Sequence, residues 1–146
     1  MIAGAECFLD TSILIYAAVG RIDEPAKWQV AQGLLTASFG TSGQVLAEFY
    51  ANAVKKGSLP LEPAVAKRWV QLLARRPFVA VDEKLVLAGV EISQRYQISY
   101  WDGAIIAAAE RLGAKIVYSE GLSHGQTYGS VQVVDPFLKT QQPAQK

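Results

Sequence analysis

Short apolar runs alternate with helical patterns along most of the chain, and this alternation constrains the fold more than any other feature of the sequence. Five runs resemble strands: residues 7–10, 39–42, 78–81, 115–119 and 131–134. Segments with helical periodicity lie between most of them: 12–18, 24–36, 44–56, 63–75, 84–96 and 100–112. Strands that alternate with helices favour a parallel sheet covered on both faces. We therefore predict an α/β fold with a central, mostly parallel five-stranded sheet flanked by helices.

The length of 146 residues fits one domain, which we place at residues 1–140, followed by a disordered tail at 141–146. No run approaches the roughly 18 apolar residues of a membrane span, and the first residues lack the pattern of a secretory signal. We therefore expect a cytoplasmic protein that makes no contact with a membrane. The single cysteine, Cys7, lies in the first apolar run and is expected to be a small buried residue.

The region from 55 to 76 carries a strong excess of positive charge, although the net charge of the chain is only +1. It holds six basic residues: Lys55, Lys56, Lys67, Arg68, Arg75 and Arg76. Glu62 is the only acid among them. Such a region could contact phosphates or an acidic partner, but it could equally be the solvated face of a helix. Charge alone therefore does not identify a nucleic-acid-binding protein.

Four acidic residues fall where strands end or where helices begin. Asp10 closes the first strand, Glu48 lies in the helix after the second, Asp102 opens the last helix, and Glu120 follows the fourth strand. In doubly wound sheets, ligands bind at the carboxyl ends of the strands. Carboxylates gathered there would repel one another, and a divalent cation would relieve that repulsion. Hard oxygen ligands without Cys or His favour Mg²⁺ or Mn²⁺ over zinc.

Each of these acids also has an ordinary structural explanation. Asp10 could simply cap the helix that follows it. Asp102 stands three residues after Ser99 and could complete a capping box. Glu48 could belong to a polar stripe on its helix, and Glu120 could be solvated in a glycine-rich loop. Position alone leaves both the structural and the metal-site explanations open.

Three stretches carry a resemblance to a known family: FLDTSILIYA (8–17), QVLAEFYANAVKKG (44–57) and ISYWDGAIIAAAERLGAKIVYSEGLSHGQ (98–126). They resemble the PIN-domain ribonucleases, in particular the VapC toxins of bacterial toxin–antitoxin pairs, and the likeness extends over about residues 7–137. The resemblance implies a three-layer α/β sandwich and Mg²⁺-dependent cleavage of RNA phosphodiester bonds. It also implies a cognate antitoxin and a homodimer.

Position by position, the resemblance implies that Asp10, Glu48 and Asp102 are the catalytic residues and the metal ligands. The cofactor would be Mg²⁺, with Mn²⁺ as a substitute. Four further residues are candidates for accessory roles: Thr11, Ser12, Ser119 and Glu120. Thr11 and Ser12 could bond the acids or a scissile phosphate near a helix N-terminus, although simple capping would explain them as well.

The chain departs from the family pattern at two glycines. Gly121 stands where relatives carry a fourth acid. Three explanations are open: the other three acids suffice for activity, Glu120 takes the place of the missing acid, or activity is reduced. Gly103 follows Asp102 where Ala is more usual, and we expect it to loosen the start of that helix. His124, the sole histidine, precedes a glycine and is expected in an exposed turn rather than as a base.

The resulting functional hypothesis is a Mg²⁺-dependent endoribonuclease that acts as the toxin of a toxin–antitoxin pair. The alternative is a catalytically weakened PIN-like module that binds RNA or protein without cleaving. A phosphatase with Asp10 as nucleophile would need a second Asp two residues later, where Ser12 stands. Aromatic residues in the segments 24–36 and 44–75 suggest a groove there for the antitoxin.

Overall fold

A six-stranded sheet forms the centre of the fold in the computed structural model, which describes residues 4–138. The strands are β1 (Cys7–Leu9), β2 (Phe39–Ser42), β3 (Phe78–Val79), β4 (Ile116–Tyr118), β5 (Thr127–Tyr128) and β6 (Val131–Val134). The disordered tail predicted at 141–146 lies outside the described residues. The limits of a single domain at 1–140 stay a prediction.

Helices connect the strands, as the alternating pattern predicted. They are α1 (Thr11–Asp23), α2 (Pro25–Leu34), α3 (Gly43–Ala53), α4 (Pro63–Leu73), α5 (Glu83–Tyr96) and α6 (Tyr100–Arg111). Within residues 4–138, none of these helices has the length and apolar character needed to cross a bilayer. Right-handed crossovers between parallel strands place helices on both faces of the sheet. The predicted α/β class is therefore confirmed.

The strand order is β3-β2-β1-β4-β6-β5, so β1 lies in the interior of the sheet. All neighbouring strands are parallel except β5 and β6, which pair antiparallel at one edge. The prediction of five strands missed β5, which is only two residues long and has one buried side chain. From β1 the chain moves to β2 on one side, and it returns to β4 on the other. This reversal creates a crevice at the carboxyl ends of β1 and β4.

The core fills the space between the sheet and its helices. Every residue of β1 is buried, and Phe8 and Leu9 are wholly inaccessible to solvent. Cys7 is buried and free, as its place in the strand predicted. In α6, seven consecutive residues from Gly103 to Ala109 are buried, because this helix lies between the sheet and α5. The burial of β1 and of this stretch of α6 fixes the positions of the residues next to them, Asp10 and Asp102.

Two glycines allow α5 and α6 to approach each other closely. A Cβ atom at Gly103 would lie 2.5 Å from the carbonyl oxygen of Gly89, and one at Gly89 would lie 3.0 Å from the Cα of Ala104. Separations this short are far below van der Waals contact, so neither position has room for a side chain. The expectation that Gly103 loosens the start of α6 was wrong, because it is the residue that lets α6 pack against α5.

Helix α1 is longer than predicted, since the sequence pattern ended it at residue 18 and it continues to Asp23. Gly20, which lies beyond the predicted end, is buried in this helix. The position where its Cβ would be lies 3.6 Å from the Cβ of Trp28 on α2. Packing of α1 on α2 therefore outweighs the weak helix propensity of glycine.

Candidate active site

A cavity of about 530 Å³ opens beside the carboxyl ends of β1 and β4. Six of the seven side chains predicted from the sequence line it: Asp10, Thr11, Ser12, Glu48, Asp102 and Glu120. The seventh, Ser119, is buried and contacts Asp10. Residues as far apart in the chain as Asp10 and Glu120 are thus brought to one cavity by the parallel sheet and its helices.

Asp10 caps α1 and also forms part of the cavity wall. Its backbone is extended, and its Oδ1 atom accepts a hydrogen bond of 2.7 Å from the N–H of Thr11. Its Oδ2 atom accepts a bond of 2.8 Å from the hydroxyl of Ser119, the residue that follows β4. Each carboxylate oxygen therefore has a donor from a different element. The capping role and a role in the site are compatible, because the same contacts that cap the helix hold the carboxylate at the cavity.

Burial raises the pKa of the Asp10 carboxyl, because it disfavours the charged form. Hydrogen bonds from Ser119 and Thr11 act in the opposite direction. The charges of Glu48 and Asp102 raise the pKa further, although their effect is smaller than that of burial. The other two acids therefore repel the charged form of Asp10, but loss of solvent is the main reason for its raised pKa.

Glu48 lies on the second turn of α3, which begins where the hydroxyl of Ser42 accepts from the N–H of Val45. Its Oε1 atom accepts a bond of 2.8 Å from the hydroxyl of Thr11. Thr11 thus links the Glu48 carboxylate to the first turn of α1. Gln44 and Asn52, which share a stripe of α3 with Glu48, also line the cavity, so the polar stripe is a cavity wall.

Asp102 lies in the first turn of α6, where only part of the predicted capping box forms. The hydroxyl of Ser99 accepts from the N–H of Asp102 at 3.1 Å. Within residues 4–138, the Asp102 carboxylate makes no return bond to the N–H of Ser99 or to another donor. The neighbouring Trp101 also lines the cavity and is 61% exposed. Ser99 therefore caps the helix, and the Asp102 carboxylate is left at the cavity.

Ser119, a predicted accessory residue, lies beneath the cavity in contact with Asp10. It is wholly buried, and its hydroxyl donates to Asp10 while it accepts from the N–H groups of Gly121 (3.2 Å) and Leu122 (3.3 Å). A hydroxyl has one hydrogen to donate and two lone pairs to accept with. Its hydrogen-bonding capacity is thus fully used, which fixes the orientation of both the loop and Asp10.

Glu120 is held in place by two residues that the sequence did not single out. Its Oε1 atom accepts from the hydroxyl of Tyr16 at 2.7 Å, and its Oε2 atom lies 2.6 Å from the Nζ atom of Lys27. Its backbone N–H donates to the hydroxyl of Ser12 at 3.4 Å. The alternative of a solvated Glu120 was therefore wrong. No local pattern could have revealed Lys27, which lies 93 residues earlier in a weakly helical segment.

Gly121 and His124 lie in the loop after β4. Gly121 lines the cavity, no atom lies within 4 Å of the position where its Cβ would be, and its φ is not positive. A longer side chain therefore fits there without backbone strain. His124 is exposed, as predicted, and its Nδ1 atom accepts from the N–H of Asp135 at 3.0 Å. That bond holds the loop near the end of β6 and gives His124 a structural contact away from the acids.

The donors at the cavity are oxygen atoms of carboxylates, hydroxyls and amides, a set that suits Mg²⁺ or Mn²⁺. Within residues 4–138, no three Asp, Glu, His or Cys side chains converge closely enough, as they stand, to hold a metal ion directly. Mg²⁺ in proteins usually keeps several waters and takes only one or two carboxylates as direct ligands. The chemistry of the donor set therefore fits such an ion, bound in part through water.

Solved structures of several toxin–antitoxin proteins share this fold. A toxin–antitoxin complex from Klebsiella pneumoniae aligns with a TM-score of 0.65 and 19% identity, over 89% of this chain and 97% of that chain. VapC20 of Mycobacterium tuberculosis, a toxin that cleaves the sarcin–ricin loop, aligns with a TM-score of 0.62 and 21% identity, over 77% and 88%. DNA-bound VapBC from Salmonella typhimurium aligns with a TM-score of 0.60 and 19% identity, over 93% and 99%. At these identities the likeness shows a common fold.

No curated protein sequence matches this chain. The sequence profile of one family, the PIN domain, does match it, over residues 7–126. That range includes β1, all six helices and the loop that follows β4. It also includes each of the side chains that were predicted as site residues. The chain belongs to the PIN domain family.

Proposed function

We propose that this protein is the toxin of a toxin–antitoxin pair and that it hydrolyses RNA phosphodiester bonds as a metal-dependent endoribonuclease. One observation carries the proposal. A single cavity at the carboxyl edge of the sheet is lined by Asp10 before α1, Glu48 on α3 and Asp102 on α6. The chain that places them there belongs to the PIN family. The likeness to toxins such as VapC20 supports the same conclusion.

Asp10, Glu48 and Asp102 would hold Mg²⁺, or Mn²⁺ in its place, together with water molecules. When bound, the ion lowers the pKa of a coordinated water and offsets the charge that grows on the phosphate. The raised pKa of Asp10 is consistent with this role, because a carboxylate that is costly to ionise alone gains most from a nearby cation.

The chain's own residues orient the acids and admit the substrate. Ser119 and the N–H of Thr11 fix both oxygens of Asp10, while the hydroxyl of Thr11 holds Glu48. Because α1 begins at Thr11, which lines the cavity, the positive end of the helix dipole lies there and favours an anion such as the scissile phosphate. Ser12, in the same turn, is placed to donate to that phosphate. No side chain needs to act as a covalent nucleophile.

A cognate antitoxin is the proposed protein partner, since several structures with this fold are toxin–antitoxin complexes. We place its docking site at an apolar groove of about 320 Å³ on α4, within the predicted segment 44–75 and beside the end of α2. The groove is lined by Leu35, Phe39, Val65, Arg68, Trp69, Leu72, Leu73 and Arg76. Val65 and Leu72 are exposed there, so a partner would cover apolar surface. A homodimer stays a prediction from the resemblance.

A second candidate function is a PIN-like module that binds RNA or protein without cleaving it. Two observations favour it: Gly121 provides no fourth carboxylate, and Glu120 is already paired with Lys27. The phosphatase alternative gains no support, because Ser12 lines the cavity where a second Asp would be needed.

The test is a series of isosteric substitutions at the three acids: Asp10→Asn, Glu48→Gln and Asp102→Asn. We expect each to lower the rate of RNA cleavage about 100-fold or more, since each removes a charged ligand that would help to stabilise the transition state. Each should also weaken Mn²⁺ binding. Glu91→Gln on the exposed surface of α5 is the matched control and should retain both properties.

The outcomes separate the two candidate functions. Mg²⁺-dependent cleavage that is lost in the three variants supports the nuclease. RNA binding by the parent protein without any cleavage would favour the binding module. Cleavage by one variant at the parental rate in saturating Mg²⁺ would remove that residue from the site.

A further inference from the structure

The ion pair between Lys27 and Glu120 lies at the cavity where this chain lacks the acid found in its relatives. Both carboxylate oxygens of Glu120 are engaged, one by the hydroxyl of Tyr16 and the other by the ammonium of Lys27. The side chains of Lys27 and Glu120 are only 16% and 26% exposed. Lys27 also donates to the hydroxyl of Tyr16 at 3.3 Å, so each of the three groups bonds to the other two.

Aromatic rings hold the lysine at this place. The Nζ atom of Lys27 lies 5.0 Å from the ring centre of Tyr16 and 5.8 Å from that of Phe137. The two rings pack edge to face, with their centres 5.0 Å apart. A cation over aromatic faces is attracted by the electrons of the rings. The two rings therefore stabilise the Lys27 ammonium at this position in addition to its ion pair with Glu120.

We propose that Lys27 and Tyr16 are positioning residues that hold Glu120 away from the other three acids, and that they thereby weaken the affinity of the site for its divalent cation. The inference rests on the proposed function, in which Asp10, Glu48 and Asp102 bind that cation. Lys27 pairs with the carboxylate of Glu120, which could otherwise take the place of the missing fourth acid. Its positive charge also disfavours a second cation nearby.

Removal of the ammonium should release Glu120 towards the cavity that it already lines. In Lys27→Met we expect Mn²⁺ to bind about tenfold more tightly, the lower end of the usual effect of residues that contact metal ligands. Tyr16→Phe removes one of the hydrogen bonds that hold the Glu120 carboxylate, together with the weaker bond from Lys27, and leaves the ammonium in place. It should tighten binding by a smaller factor of about three, the equivalent of one ordinary hydrogen bond.

The experiment measures Mn²⁺ affinity by isothermal titration calorimetry on the full chain, with a thermal melt of each variant to verify folding. Lys27→Arg keeps the ion pair and should retain the parental affinity. The double variant Lys27→Met/Glu120→Gln should also return to the parental affinity, because no carboxylate is released. Lys56→Met is the matched control for charge: Lys56 lines the same cavity but is exposed, so salt screens its effect.

Three results would overturn the inference. Unchanged Mn²⁺ affinity in Lys27→Met would show that Glu120 is not released. Equal tightening in Lys27→Met and Lys56→Met would show that only net charge matters. Equal tightening in the single and double variants would show that Glu120 takes no part. In each case the proposed function survives, whereas a parent chain that binds no Mn²⁺ would remove both proposals together.

Discussion

Replacement of Gly103 by alanine tests whether α6, which carries Asp102, depends on its close contact with α5. In most helices this change is favourable, because alanine has a higher helix propensity than glycine by about 1 kcal/mol. At Gly103 the new methyl group would lie 2.5 Å from the carbonyl oxygen of Gly89 and 3.0 Å from the backbone nitrogen of Ser93. Both are backbone atoms of α5, so they cannot move aside as a flexible side chain would.

The two effects oppose each other, and their sizes decide the outcome. Overpacking of a rigid interior costs typically 1–3 kcal/mol, and contact with backbone atoms places this case near the upper end, at about 3 kcal/mol. After the gain in helix propensity, we expect the free energy of unfolding to fall by about 2 kcal/mol. For a chain of this length, that corresponds to a decrease of roughly 6 °C in Tm.

Urea and thermal denaturation, followed by circular dichroism, measure this change. Gly33→Ala is the matched control, since Gly33 also lies in a helix but has no atom within 4 Å of its missing Cβ. It should raise stability by up to about 1 kcal/mol. The same substitution is thus expected to have opposite signs at the two sites. A Gly103→Ala variant as stable as the parent, or more so, would refute the close-packing explanation.

Three further outcomes are expected. Gly121→Asp should increase RNA cleavage at low Mg²⁺ without lowering Tm, since it adds a carboxylate in open space at the cavity. A decrease in both the cleavage rate and Tm would show that the glycine is required. The pKa of the Asp10 carboxyl is raised in the folded protein. The protonated carboxyl therefore contributes to stability at pH below about 4, and this contribution is lost as the pH rises through the pKa of Asp10 in the folded protein. The Asp10→Asn variant should therefore become more stable relative to the parent as the pH rises. If the urea midpoints of the two proteins, measured without added metal, change in parallel with pH, the expectation is contradicted. Ser119→Ala should lower the free energy of unfolding by about 1–3 kcal/mol, since it leaves the N–H of the buried Leu122 and that of Gly121 without their acceptor; denaturation that shows a change within about 0.5 kcal/mol would contradict it.

The sequence predicted the layout of the fold because its strands are short, apolar and separated by helices with clear periodicity. It missed β5, since two residues beside glycines carry no periodic signal. It also ended α1 too early, because the packing of Gly20 against Trp28 is a tertiary contact that no local pattern contains. Local patterns thus identified the main elements, whereas tertiary packing decided where α1 ends.

The same division applies to the site. That Asp10, Glu48 and Asp102 lie together could be predicted, because each occupies a defined place at a strand end or in a helix; their roles stay a prediction from the family motif. Lys27 and Tyr16 could not, since their role depends on Glu120, which is far from both in sequence. The close approach at Gly103 was likewise hidden, because the partner that requires a glycine there lies on another helix.

The position of β1 between β2 and β4 has a consequence for the synthesis of the protein. Asp10 emerges early from the ribosome, but the hydroxyl that fixes it belongs to Ser119, 109 residues later. Contacts between such distant residues form late in folding, because a long loop must close before they can be made. Asp10 and Glu48 are therefore translated well before β4, the strand that completes the cavity. The cavity is therefore incomplete until β4 and the loop that follows it have been made.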